Sequence, residues 1–173
     1  MRTMSAERRF EFLTSIGLIH ADAQLETFGE RCYFDHHLAH AASAVVPAGF
    51  ETANIITLDG WGGRSSGMLG YFDASTGIEK LMDISPHNSW GMTYELITDC
   101  LGFKCHSGEG KTMGLAAYGR IDVDLLPNFC EPQLGLPDVR RYEQYVSSRF
   151  ERRAENAPIG KWHEDLAATL QYY

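Results

Sequence analysis

The stretch from Ala53 to Ser85 constrains the fold most. It holds three runs of strand length, "ANIITLD", "GMLGYFD" and "IEKLMDIS", with only short polar or glycine-rich connections between them. The first run is largely apolar and bounded by loops, which suits a buried strand. "ASTG" between the second and third runs is a hairpin turn signal. "GWGGRSS" between the first and second reads as a tight loop whose glycines supply positive φ. A sheet built from consecutive strands is therefore expected in the middle of the chain.

Helical patterns flank it. "SAERRFEFLTSIGLI" (5–19) places Phe12, Leu13, Ile16 and Ile19 on one face, with Ser5 as N-cap. "RCYFD" reads as a short strand, and "HLAHAASAVVPAGF" as an alanine-rich helix ending near Pro47 and Gly49. In "SWGMTYELITDCLGF", Tyr94, Ile97 and Leu101 recur at helical spacing before Gly102 stops the helix. "HSGEGKTMGLAAYGR" reads as a glycine-rich loop and a short helix, and 122–139 as irregular chain broken by prolines. "VRRYEQYVSSRFERRAEN" looks like a charged, solvent-facing helix, with Arg140, Arg141, Arg149, Arg152 and Arg153 balanced by glutamates. "KWHEDLAATLQYY" is a last amphipathic helix, with His163 expected at its surface. Strands and helices in this order make the class α/β or α+β.

At 173 residues the chain is the size of one domain. Its net charge of −8 argues against a nucleic-acid surface and against an anionic membrane surface. No apolar segment reaches the roughly 18 residues of a membrane span, and the N-terminus lacks the apolar core of a secretory signal. Four cysteines without a C-x-x-C pair read as reduced thiols of a cytoplasmic protein.

Three stretches carry candidate chemistry. In "DHHLAHAASA" (35–44), His36 and His40 are i and i+4, one turn apart on one helix face, where two imidazoles can chelate a metal. His37 and His40 are i and i+3, also geometrically possible. Asp59 closes an apolar strand and supplies a third ligand, and carboxylates at strand ends face ligand crevices. Two histidines and a carboxylate leave coordination positions open, as catalytic sites do. In "DGWGGRSSG" (59–67), Ser65 formally matches G-x-S-x-G, but the nucleophile elbow needs a following helix and a strand-like run follows here. Gly60 and Gly62 open a loop able to touch phosphate through backbone N–H groups. In "SGEGKTMGLAAYG" (107–119) a P-loop match fails at Cys105, yet Gly108 and Gly110 allow close backbone approach and Lys111 opens a helix N-terminus. Glu109 offers an acceptor for a ribose hydroxyl or an amide.

In order, "DHHLAHAASA", "IITLDGWGG" and "PHNSWGMTYELITDCLGFKCHSGEGKTMGLAAYG" resemble the O-carbamoyltransferases of nodulation-factor, cephamycin and tobramycin biosynthesis. That family reads HH-x-x-HA-x-SA, a strand ending DG-x-G, S-L-G-x-x-Y-x-x-x-T-x-x-L-G-F, then E-G-K-x-M-G-L-A-x-Y-G. The resemblance is dense over 33–119 and weaker in "DLAATLQ". Gly63 stands where the family usually has glutamate, and Trp90 where it has leucine.

The resemblance implies a partial actin-like (RNase H-like) lobe, related to sugar kinases and heat-shock chaperones, with a mixed sheet and flanking helices. It implies one incomplete domain over 1–173, with core motifs at 33–119 and a helical segment at 140–173. In the family, carbamoyl phosphate and ATP give carbamoyl-adenylate in a separate YrdC-like domain, and the actin-like domain passes the carbamoyl group to an acceptor hydroxyl. By position, His36, His40 and Asp59 match the metal ligands, iron (Fe2+) in the characterised relative, which leaves His37 a bystander. Gly60, Gly62, Glu109, Gly110 and Lys111 match the nucleotide and phosphate side. The family's "GxHDASA"-like loop, second lobe and YrdC-like domain are expected elsewhere, supplied from a longer protein or another chain. The alternatives are a non-catalytic remnant and a hydrolase using Ser65.

Overall fold

The structure is a computed structural model that describes residues 35–173. The helix expected at 5–19, the expected strand up to Phe34, and Cys32 lie outside the described residues. Helix α1 (His36–Ala48) begins at Asp35, whose carboxylate accepts the Leu38 N–H at 3.0 Å. It ends at Gly49 (φ 69°), the left-handed cap that glycine adopts without strain. Pro47 sits in the last turn. His37, Ala41 and Val45 recur every four residues and form the buried face.

Strands β1 (Thr52–Gly62), β2 (Ser65–Asp73) and β3 (Gly77–Ile84) follow in the sheet order β1-β2-β3. Among the described residues these three pair antiparallel. Thr52 pairs with Asp73 and Gly62 with Ser65, so the Gly63–Arg64 turn is two residues long. β1 runs past Asp59, where the sequence suggested it would end, and its pairing with β2 is irregular between Leu58 and Gly62. One sheet face meets α1 in a small core of Ala41, Val45, Ile55 and Met68, flanked by Leu38, Phe72 and Ile78.

A 3₁₀ turn (Pro86–Asn88) leads into α2 (Trp90–Cys100), α3 (Glu109–Ala116), α4 (Val139–Arg149) and α5 (Lys161–Tyr172). These helices enclose the larger core, centred on Ile97, Leu101, Leu126, Tyr142 and Leu166, each fully buried. Thr98 of α2 and Thr112 of α3, both fully buried, satisfy each other at 2.9 Å. No helix among the described residues is long and apolar enough to cross a membrane.

Two expectations are corrected. The charged helix does not run to residue 156; it stops at Arg149, and Phe150 turns extended. The cause is Arg153, which is buried rather than solvated. Its Nε donates to the Leu101 carbonyl at 2.6 Å, and its Nη1 donates to the carbonyls of Glu155 and Ala157. Its own N–H reaches the Cys100 carbonyl at 3.0 Å. Arg153 thus serves two carbonyls at the C-terminal end of α2, one with its guanidinium and one with its backbone N–H, a role that continued helix would deny it. His163 is likewise buried rather than exposed, stacked on Trp162 with ring centroids 3.7 Å apart. Burial pulls its pKa down, so Nδ1 is free to accept the Gly160 N–H at 2.8 Å.

Replacing Arg153 by Ala leaves the buried Leu101 carbonyl without a donor and empties the space of a buried side chain, and we expect a loss of about 2 kcal/mol or more. Urea melts will measure it; Lys at 153 should not restore the loss, because one ammonium cannot reproduce the fork.

Candidate metal centre

Helix α1 and the far end of β1 bring three ligand atoms together. His36 Nε2 lies 2.8 Å from Asp59 Oδ2, and His40 Nε2 lies 3.0 Å from His36 Nε2. His40 Nε2 is also 3.6 Å from the same carboxylate oxygen. Helical spacing stacks the two rings on one face, and β1 sets the carboxylate against them. The three ligand atoms fall within 4.8 Å of one another.

The protons do not suffice for this cluster. A hydrogen on His36 Nε2 can go to Asp59, but then no lone pair remains there for His40. If His36 Nε2 instead accepts from His40, its lone pair faces a carboxylate oxygen. A cation between the three atoms resolves the conflict, since each then presents a lone pair. The donor set therefore fits a divalent metal. The hydrogen bond with His36 holds the Asp59 carboxyl below the usual carboxylate range, against partial burial, with help from the Gly60 N–H and the neighbouring imidazoles. Asp59 is thus in its ligating form at neutral pH. The three side chains are 38–53% exposed, which leaves one side of the site open to a reactant.

Close backbone approach makes the cluster possible. A Cβ on Gly62 would fall 2.0 Å from His36 Cδ2, so the imidazole occupies the space that a side chain there would take. On the other side of Asp59, a Cβ on Gly91 would fall 2.6 Å from the Gly60 backbone. Helix α2 therefore begins directly against the Asp59–Gly60 segment. Ser89, its buried N-cap, accepts the Met92 N–H at 3.0 Å. The Ser89 hydroxyl proton is shared between the carbonyls of Asp59 (2.9 Å) and Gly60 (2.8 Å). The Gly60 N–H donates to Asp59 Oδ1 at 2.7 Å, which leaves Oδ2 for the histidines. Sequence reasoning missed Ser89 and Gly91 as site residues; the N-cap at Ser89 and the match of "SWG" to the family's S-L-G were the signals that could have found them.

The other sequence-predicted residues divide. A groove of about 390 Å³ beside the cluster is lined by Asp59, Gly60, Trp90, Tyr94 and Glu109, among others. Glu109 thus comes from α3 to the same groove as Asp59, while its Oε1 accepts the His106 N–H at 2.8 Å. Gly110 and Lys111 do not line that groove; the Lys111 ammonium lies over the Phe103 ring, 5.9 Å from its centroid. Ser65 heads a strand, not a helix, and is buried, so the elbow geometry is missing. His37 points away from the ligands into the protein, where Nε2 meets the Ser65 carbonyl.

Residues 11–173 match the family model for the carbamoyltransferase N-terminus. The chain belongs to the carbamoyltransferase family. It is 34% identical over 148 residues to the nodulation protein NolNO of Sinorhizobium fredii, covering 80% of this chain and 21% of that protein. An uncharacterized protein of Synechocystis is 38% identical over 93 residues, covering 53% of this chain and 15% of its own length. An uncharacterized protein of Methanocaldococcus jannaschii is 35% identical over 106 residues, covering 53% and 17%. The chain spans about a fifth or less of the length of these relatives.

The depressed Asp59 pKa fixes a pH dependence for the metal-free protein. A carboxyl held below its ordinary value of 3.8 stabilises the fold fully above that value, and the gain disappears as pH falls through the lower folded pKa. Urea midpoints of the wild type and Asp59→Asn should therefore differ most at about pH 5.5 and converge toward about pH 2. A gap that stays constant over that range contradicts the assignment.

Proposed function

We propose that this chain contributes the metal-holding part of a carbamoyl-transfer site. In this reading the protein passes a carbamoyl group from carbamoyl-adenylate, made from carbamoyl phosphate and ATP, to a hydroxyl of a small-molecule or sugar acceptor. The observation that carries it is the convergence of His36, His40 and Asp59 in a chain of the carbamoyltransferase family. The sheet and its helices are then part of an actin-like lobe. The remaining lobes belong to a longer protein or to another chain.

His36, His40 and Asp59 hold the ion, which the resemblance names as Fe2+. A divalent ion there would polarise a carbonyl and orient a phosphate, as Lewis acids do. The protein's own residues supply the rest. Gly60 and Gly62 keep side chains away from the mouth of the site. Trp90 and Tyr94 give the adjoining groove an aromatic wall, and Glu109 gives it a hydrogen-bond acceptor for a hydroxyl. Lys111, with Gly110 beside it in the first turn of α3, provides positive charge near the nucleotide side. Asp59 enters as a carboxylate, held in place by Ser89 and the Gly60 N–H.

Metal analysis of the purified chain tests this. The wild type should carry or take up one Fe2+, and His36→Ala or His40→Ala should abolish stoichiometric uptake. AMP should raise the melting temperature of the metal-loaded wild type more than that of Glu109→Ala. Metal retained in both histidine variants contradicts the reading.

A further inference from the structure

We propose that His37, which is not a ligand, sets the geometry of the His36, His40 and Asp59 site by pinning helix α1 to the β1–β2 hairpin through a single tautomer. The proposal rests on the metal reading above. His37 is fully buried. Its Nε2 lies 3.2 Å from the Ser65 carbonyl oxygen, and its Nδ1 lies 3.1 Å from Thr57 Oγ1. A carbonyl can only accept, so Nε2 carries the hydrogen. In a neutral imidazole Nδ1 then bears the lone pair and accepts the Thr57 hydroxyl proton. Thr57 Oγ1 in turn accepts the Met68 N–H at 3.0 Å. The chain runs one way, from the Met68 N–H through the Thr57 hydroxyl and His37 to the Ser65 carbonyl.

Each end of this network bears on the metal site. Ser65 pairs with Gly62 across the two-residue turn, and Gly62 is the surface on which the His36 ring rests. The bond from His37 to Ser65 therefore fixes the hairpin tip beneath a ligand. Thr57 lies two residues before Asp59, on the same face of β1, so the same side chain fixes the register of α1 against the strand carrying the carboxylate. Burying His37 also sets the rotation of α1. The His36 ring lies edge-on to it at 79°, with centroids 5.1 Å apart, and turns toward Asp59. His37 is a positioning residue in this account, and Thr57 is its orienting partner.

Cobalt titration of the full chain, followed by the visible absorption bands of bound Co2+, tests the proposal, with melting of the metal-free protein as a second readout. Thr57→Val keeps the shape and removes the proton that holds Nδ1. It should weaken Co2+ binding about tenfold and change the band pattern. The metal-free melting temperature should fall by no more than about 8 °C. His37→Gln, which can still donate toward Ser65, should retain more affinity than His37→Leu. A purely structural role would instead lower the melting temperatures and leave the affinity and spectrum of the folded protein unchanged. Wild-type affinity and spectrum in folded Thr57→Val overturn the proposal even if His37→Leu fails to fold. Absence of Co2+ binding by the wild type overturns the metal reading, and this proposal with it, before any variant is compared.

Discussion

Contact between backbone and ligand side chains around Asp59 is the constraint on which the rest depends. His36 occupies the space a Gly62 side chain would need, and helix α2 starts against Gly60 because Gly91 lacks a Cβ. Neither approach tolerates an extra carbon without a shift of backbone or ligand. The Ser89 hydroxyl then bonds across the second contact and caps α2 with the same oxygen. One buried side chain therefore couples the start of a helix to the strand that presents the carboxylate. The first contact seats the imidazole, so helix α1, strand β1 and helix α2 meet at the cluster and any displacement of one reaches its three side chains.

Two cores hold those elements at the required distances. The smaller one lies between α1 and the sheet, and its polar member His37 continues the row of Ala41 and Val45 along the helix. The larger one lies among the four later helices and supports α2 from below. Arg153 links the segment after α4 to the end of α2 through the Leu101 carbonyl, which takes its Nε–H, and the Cys100 carbonyl, which takes its backbone N–H, while its Nη1 holds the local carbonyls of Glu155 and Ala157. Burying a guanidinium is costly unless its donors are used; here Nε serves a carbonyl that the end of α2 leaves open, and Nη1 serves two carbonyls of its own segment. The ends of α2 are thus both fixed by side chains, Ser89 at one and Arg153 at the other.

Much of this was legible in the sequence. The three strands, the helix from His36, the stop at Gly102 and the i, i+4 histidine pair follow from periodicity and turn residues, which are local properties. The partnership of the pair with Asp59 was suggested by a carboxylate closing an apolar run, because carboxylates at such positions face ligand crevices. What sequence did not disclose depends on contacts between distant segments. Arg153 looks like any arginine of a charged helix until the end of α2, about fifty residues away, asks for donors. Nothing local marks His37 as a core residue, since its partners Thr57 and Ser65 lie on two different strands. β1 extends beyond Asp59 because Gly62 pairs with Ser65, a register that the glycine-rich loop does not reveal.

The central claim is that His36, His40 and Asp59 bind one metal ion in a carbamoyltransferase chain. X-ray absorption at the iron edge of the Fe2+-loaded protein tests it most directly. The account predicts a first shell of nitrogen and oxygen only, near 2.0–2.2 Å, with outer-shell scattering from two imidazoles. Sulfur scatterers at about 2.3 Å, or a shell without imidazole, would contradict it.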